Sequence, residues 1–229
     1  MGYNWQWYQI PRYFYRVIDV ELIWGPLATG LVITIEISLY SMLLTLVLGL
    51  LTALLRMSNS LSGQVLARVY LETIRNTPML VQIYVFYFVI APVLGIDRFW
   101  TGVLCLGLFE GSFASEIIRA GINSVPRGQW EAASSVGLSR FSSYRYVVLP
   151  QAIPLMLPPM TGVLINLIKH SAIVSVIAVF ELTTEGRNII ADTYMAFEVW
   201  LTVAGIYLVL TVSLSIFVGY LERRLRQPA

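Results

Sequence analysis

The sequence predicts an all-α integral membrane protein of about five transmembrane helices, and three observations carry that prediction. The chain is 57% hydrophobic and only 12% charged, with a mean hydropathy of +0.73, whereas soluble domains carry roughly 25% charged residues. Five long apolar stretches cover residues 27–55, 79–94, 99–118, 152–179 and 199–221. The arginines segregate between the connections in a regular alternation.

The elements follow in order. Residues 1–26 are rich in Tyr and Trp and lack a short apolar core ahead of a small-residue cleavage site, so they do not read as a cleavable signal. Trp5, Trp7, Tyr8, Tyr13, Phe14 and Tyr15 read as an aromatic collar at the membrane interface, with a docking surface for an outer partner as the alternative. Residues 27–226 then form one membrane domain. A span needs about 20 residues, so the first and fourth stretches must tilt, kink or leave the bilayer. The second is short unless the polar residues before Pro78 complete its helix. Gly102, Gly107, Gly111, Ser112, Ala114 and Ser115 give the third span a small-residue face, suited either to packing within the chain or to a close pore or dimer contact. Pro154, Pro158 and Pro159 each remove a backbone donor from the fourth, which predicts a break or kink there.

Topology follows from the basic residues. Arg56, Arg68 and Arg75 lie between the first and second spans, and Arg119, Arg127, Arg140 and Arg145 between the third and fourth. Arg223, Arg224 and Arg226 follow the fifth. These ten fall on one side, against Arg12, Arg16, Arg98 and Arg187 on the other. The positive-inside rule makes the first group cytoplasmic, with the N-terminus outside and the C-terminus inside. The acidic segment 181–198 then faces outward.

One polar connection is patterned. Within residues 124–150, Ala132, Ala133 and Val136 fall on one face of a short helix, at spacings of three and four. Gly137 can take the left-handed conformation that ends such a helix, and Ser139 can cap a second one. Pro150 ends that second helix or marks the start of the next segment. The result is a helix–turn–helix finger flanked by Arg127, Arg140 and Arg145.

Glu131-Ala132-Ala133, then three residues, Gly137, nine residues and Val147-Val148-Leu149-Pro150 resemble the cytoplasmic signature loop of ABC-importer permeases, with Val in place of Ile. Tyr70–Gln82, Glu116–Gln129 and Lys169–Ile177 resemble the polar amino-acid uptake permeases, and together the likeness covers roughly residues 27–226. Trp130, bulky and just before Glu131, departs from the pattern. The resemblance implies a type I importer permease core in a bacterial inner membrane. It implies that Glu131, Ala132, Ala133, Gly137, Leu149 and Pro150 couple the chain to a separate ATPase, where ATP and Mg bind. It also implies an outer amino-acid-binding protein and a second permease, either a copy or a paralogue. No nucleic acid is expected as a partner. The chain shows no phosphate-loop pattern, and no catalytic residue, bound cofactor or metal site of its own is expected.

Ionisable residues inside spans are costly and face the bundle interior or water. Glu110, Ser112 and Glu116 in the third span and Asn166 and Lys169 in the fourth are therefore candidates for the substrate path. Lys169 suits a substrate carboxylate and Glu110 or Glu116 an ammonium, while a structural network among these charges is the competing reading. Glu36 reads as reaching water near the outer end of its span, and His170 as a hydrogen-bonded packing residue. Cys105, the single cysteine, supports no intrachain disulfide. Two other classes remain: an ion-coupled carrier, which needs no motor finger, and a membrane scaffold, which needs no buried charge.

Overall fold

The computed structural model describes residues 3–18 and 21–225. Arg226, counted above in the basic group, lies outside them. Eight helical elements follow an N-terminal hairpin: α1 (Pro26–Met57), α2 (Leu61–Arg75), α3 (Met79–Leu94), α4 (Arg98–Asn123), α5 (Arg127–Ser135), α6 (Arg140–Ile177), α7 (Leu182–Thr193) and α8 (Ala196–Leu225). Helices α1, α4, α6 and α8 are each long and apolar enough to cross a membrane. The α2–α3 pair adds a fifth only if a 106° bend is counted as one broken span. The polar residues before Pro78 therefore do not lengthen the second span. Proline at 78 disfavours a helical residue before it, and α2 turns away as a separate helix.

The N-terminal segment is not all helix or collar. A 3-10 helix at Trp7–Tyr13 leads into an antiparallel pair, β1 (Tyr15–Ile18) and β2 (Glu21–Trp24), with Tyr15 opposite Trp24. Trp5, Trp7, Tyr8 and Tyr15 are exposed, as a collar requires, but Tyr13 is buried with Ile10 against α7 and α8. Glu198, fully buried at the start of α8, accepts hydrogen bonds from the Tyr3 hydroxyl and from the Gln6 backbone N–H (2.6 Å). That carboxylate ties the segment down.

Helices α1 and α4 form the centre of the bundle. Their contact explains the small residues of the third span. A Cβ on Gly49 would come within 2.9 Å of the Ala114 Cβ and 3.2 Å of the Ser115 backbone nitrogen, and one on Gly102 within 2.9 Å of Ile37. Ser41 and Thr45 lie buried along the same seam, near the carbonyls of Val103 and Gly107 at 3.4 Å. This is packing within the chain, and the opposite face of α1, including Leu39, Leu43, Val47 and Leu51, is exposed. Gly49→Val is expected to force α1 from α4 at a cost of about 1–3 kcal/mol. A lowered thermal midpoint in detergent checks this, and an unchanged midpoint refutes the close seam.

The prolines of α6 do not break it. Pro150, Pro154, Pro158 and Pro159 all lie within continuous helix. A π-helical turn at Tyr144–Val148 precedes Pro150, and the Leu149 N–H reaches back to the Tyr144 carbonyl. The wider turn absorbs the missing donor and the ring's steric demand. The helix tightens later, into 3-10 geometry at Ser171–Ile177, and ends at Ala178 with φ +55°. Arg98 and Arg187 hold this end by donating to the carbonyls of Ala178 and Ser175, each at 2.9 Å.

Segment 181–198 is not simply a solvated acidic loop. Glu181 is fully buried and caps α7, accepting from the N–H groups of Thr183 (2.7 Å) and Thr184 (2.8 Å) and from the Tyr207 hydroxyl (3.0 Å). Burial pushes its carboxyl up from the usual range, and the two backbone donors oppose that. Leu182 donates to Thr34 Oγ1 at 3.1 Å, which locks α7 onto α1 where Gly30 admits it.

Candidate functional site: an exposed finger and an exposed cationic stripe

The finger forms as a helix–turn–helix. Helix α5 ends in a left-handed turn at Gly137 (φ +78°). The Gly137 N–H donates to Ser134 and the Leu138 N–H to Ala133, at 3.0 and 3.1 Å. This bond pair is the Schellman cap. Ser139 then caps α6, its side chain accepting from the Ser142 N–H at 3.2 Å. Glu131, Ala132 and Val136 are exposed at the tip, together with Phe141. Ala133 is not: it is 4% exposed and turned into the finger. Spacing put three residues on one face, but the return helix covers one edge of it. Leu149 and Pro150 do not join the tip either. At about 1.5 Å per residue they stand roughly 15 Å along α6 from Arg140, and Leu149 lines an apolar groove with Leu46, Leu50 and Ile118.

Trp130 anchors the finger. Its ring meets Tyr144 edge to face at 5.0 Å between centroids and packs on the core of Ala53, Ile122, Val148 and Ala152. The residue that departs from the family pattern thus braces the two finger helices against the bundle.

The polar residues inside the spans divide into three groups. Glu116 pairs with Arg56, with Arg75 (3.4 Å) and with Arg119 (2.8 Å). Ser112 is buried, its carbonyl accepting from Arg75 and its hydroxyl donating to Phe109 O at 2.7 Å. Both residues hold α2 against α4, and Glu116 also lines the groove between α4 and α6. Glu110, 2% exposed, meets His170 Nδ1 at 2.8 Å, and the Phe109 ring stands edge-on to the imidazole at 5.8 Å. Lys169 and Asn166 form the third group. They lie on an exposed stripe of α6 with Leu155, Pro159 and Gly162, at spacings of four, three, four and three. Among the described residues Lys169 makes no ion pair. Toward the finger, the stripe opens into a groove of about 490 Å³ between α4 and α6, lined by Glu116, Ile117, Ala120, Gly121, Leu155 and Pro159. Glu36 is exposed on α1, away from these groups. Among the described residues no cluster of side chains could hold a metal ion.

Sequence reasoning missed His170 as the partner of Glu110, since 60 residues separate them. It also missed Trp130 as a brace, Glu181 as a buried cap and Glu198 as the buried acceptor that holds the N-terminal segment. Only Glu181 left a local signal, an acid placed two and three residues before two threonine N–H groups at a helix start.

The chain is similar to proteins of known assignment. The probable glutamine ABC transporter permease protein GlnM of Bacillus subtilis is 40% identical over 182 residues, 79% of this chain and 84% of that one. The glutamine transport system permease protein GlnP of Escherichia coli is 37% identical over 214 residues, covering 91% and 98%. A crystal structure of an amino acid ABC transporter with histidines superposes with a TM-score of 0.79 at 37% identity, over 87% of this chain and 94% of that one. An inward-facing MetNI methionine ABC transporter, at 18% identity and a TM-score of 0.74, shares the fold. Residues 45–227 match the family described as binding-protein-dependent transport system inner membrane components. With its apolar helices, its finger and this match, the chain belongs to that family and is a multi-pass inner-membrane permease.

Proposed function

We infer that this chain is the permease subunit of an ATP-driven importer of polar L-amino acids. The exposed, Schellman-capped finger carries the reading, because a rigid projection with an apolar tip can seat in a groove and transmit rigid-body motion. A separate ATPase takes the tip of Glu131, Ala132, Val136 and Gly137, while Ala133 shapes it from within and Leu149 and Pro150 form its root. ATP and Mg bind at that ATPase. An outer binding protein delivers the amino acid, and a second permease faces the α6 stripe to complete the path. Lys169 meets the substrate carboxylate there, Asn166 adds a polar contact one turn away, and the Glu110–His170 pair lies behind. The family match and the names of the relatives support this assignment.

Affinity purification of the tagged chain from membranes is the test. A soluble ATPase is expected to co-purify, and its absence would favour an ion-coupled carrier or a scaffold. The same reading puts the finger in the cytoplasm and the N-terminus outside. A cysteine placed near Arg187 should react with an impermeant thiol reagent from outside, and one near Arg140 should not.

A further inference from the structure

A second polar site lies at the finger end of the bundle, on the α2 side of Glu116, which also lines the groove at the end of the α6 stripe. Helix α2 closes a cavity of about 250 Å³ over α1 and α4, lined by Arg56, Gln64, Arg68, Glu72, Arg75 and Glu116. Its carboxylates are already engaged. Glu116 pairs with Arg56, Arg75 and Arg119, and Glu72 accepts from Asn76 Nδ2 at 2.8 Å. Arg68 makes no ion pair among the described residues, and Nε of Arg75 is buried with no hydrogen-bond partner. Excess positive charge in a cavity of this size calls for a compact oxyanion such as a phosphate group.

Helix α2 decides where that phosphate comes from. Gly63, Ala67 and Ile74 face the bundle. Leu61, Val65, Leu66 and Val69 are exposed, at 76%, 50%, 63% and 57%. Gln64, Arg68, Glu72 and Arg75 occupy the arc between these faces, by the 3.6-residue period. The 106° bend between α2 and α3 lays α2 across the direction of the next span, as an interfacial helix lies. An apolar face beside an arginine-lined cavity matches acyl chains beside a headgroup. We propose that this cavity binds the phosphodiester of an anionic glycerophospholipid in the leaflet on the finger side, with the acyl chains against Leu61, Val65, Leu66 and Val69. A zwitterionic headgroup brings an ammonium that the arginines repel.

Native mass spectrometry of the solubilised full-length chain tests this, with dioleoyl phosphatidylglycerol and dioleoyl phosphatidylcholine as probes. Phosphatidylglycerol is expected to bind at least about fivefold more tightly, the factor that ~1 kcal/mol per basic side chain sets. Arg68→Gln should remove about that factor, and Arg68→Lys should keep most of it. Leu66→Gln should weaken the lipid without changing the binding of inorganic phosphate. Equal binding of the two lipids, or an unchanged preference in Arg68→Gln, would overturn the proposal. So would millimolar inorganic phosphate displacing the lipid from the wild type while Leu66→Gln has no effect, since that marks a site for a free anion.

Discussion

Lys169→Met is expected to abolish amino-acid uptake while leaving the chain inserted, assembled and as stable as the wild type. A cation within a membrane helix is expensive unless an anion accompanies it. The two glutamates that could pair with Lys169 are engaged elsewhere, Glu110 with His170 and Glu116 with three arginines. Removing the ammonium therefore strands no carboxylate, and the usual route from charge loss to instability is closed. What is lost is the contact to a substrate carboxylate. Truncating one partner of a desolvated charge pair costs about 2–5 kcal/mol, or at least roughly thirtyfold in affinity. Uptake into proteoliposomes and substrate-stimulated ATP hydrolysis should both collapse, while the thermal midpoint holds. A Lys169→Met transporter that imports at the normal rate would show that this residue does not handle substrate. A collapse in the thermal midpoint would show that the lysine serves the fold.

Gly137→Val is expected to uncouple the chain from its ATPase without disturbing the membrane bundle. The backbone there sits at φ +78°, where a β-branched residue is an outlier and the left-handed conformation costs an L-residue about 1–2 kcal/mol. No atom lies within 4 Å of the position a Cβ would take. The substitution therefore meets no neighbour, and its strain falls on the turn alone. The Schellman bonds of Gly137 and Leu138 should open and the tip should fray. ATPase recovered on co-purification should fall by about tenfold, with membrane insertion unchanged, on the scale of that backbone cost. Gly137→Asn should recover much of the loss, because Asn tolerates the left-handed region. Full ATPase association in Gly137→Val would remove the finger from its proposed role.

Much of this architecture was legible without coordinates. Helices α1, α4 and α8 sit within about five residues of their apolar stretches, because a run long enough to cross hydrocarbon has few other places to go, whereas α6 begins at Arg140, well before its stretch. The finger was legible because caps are local: Gly137 and Ser139 act on backbone groups within a few residues of themselves. What the tertiary structure alone decided is how the intramembrane charges divide. Lys169 and His170 are adjacent in sequence, yet one is exposed and the other meets a carboxylate 60 residues away. Glu110 and Glu116 lie on the same helix, yet one faces α6 and the other the arginines of α1 and α2. The same holds for Trp130, which braces the finger on Tyr144, and for Pro150, which a π-helical turn at Tyr144–Val148 precedes. Hydropathy and capping depend on neighbours along the chain, so a sequence states them. The partner of a buried charge depends on the rotation and depth of one helix against another, which only the packed bundle sets.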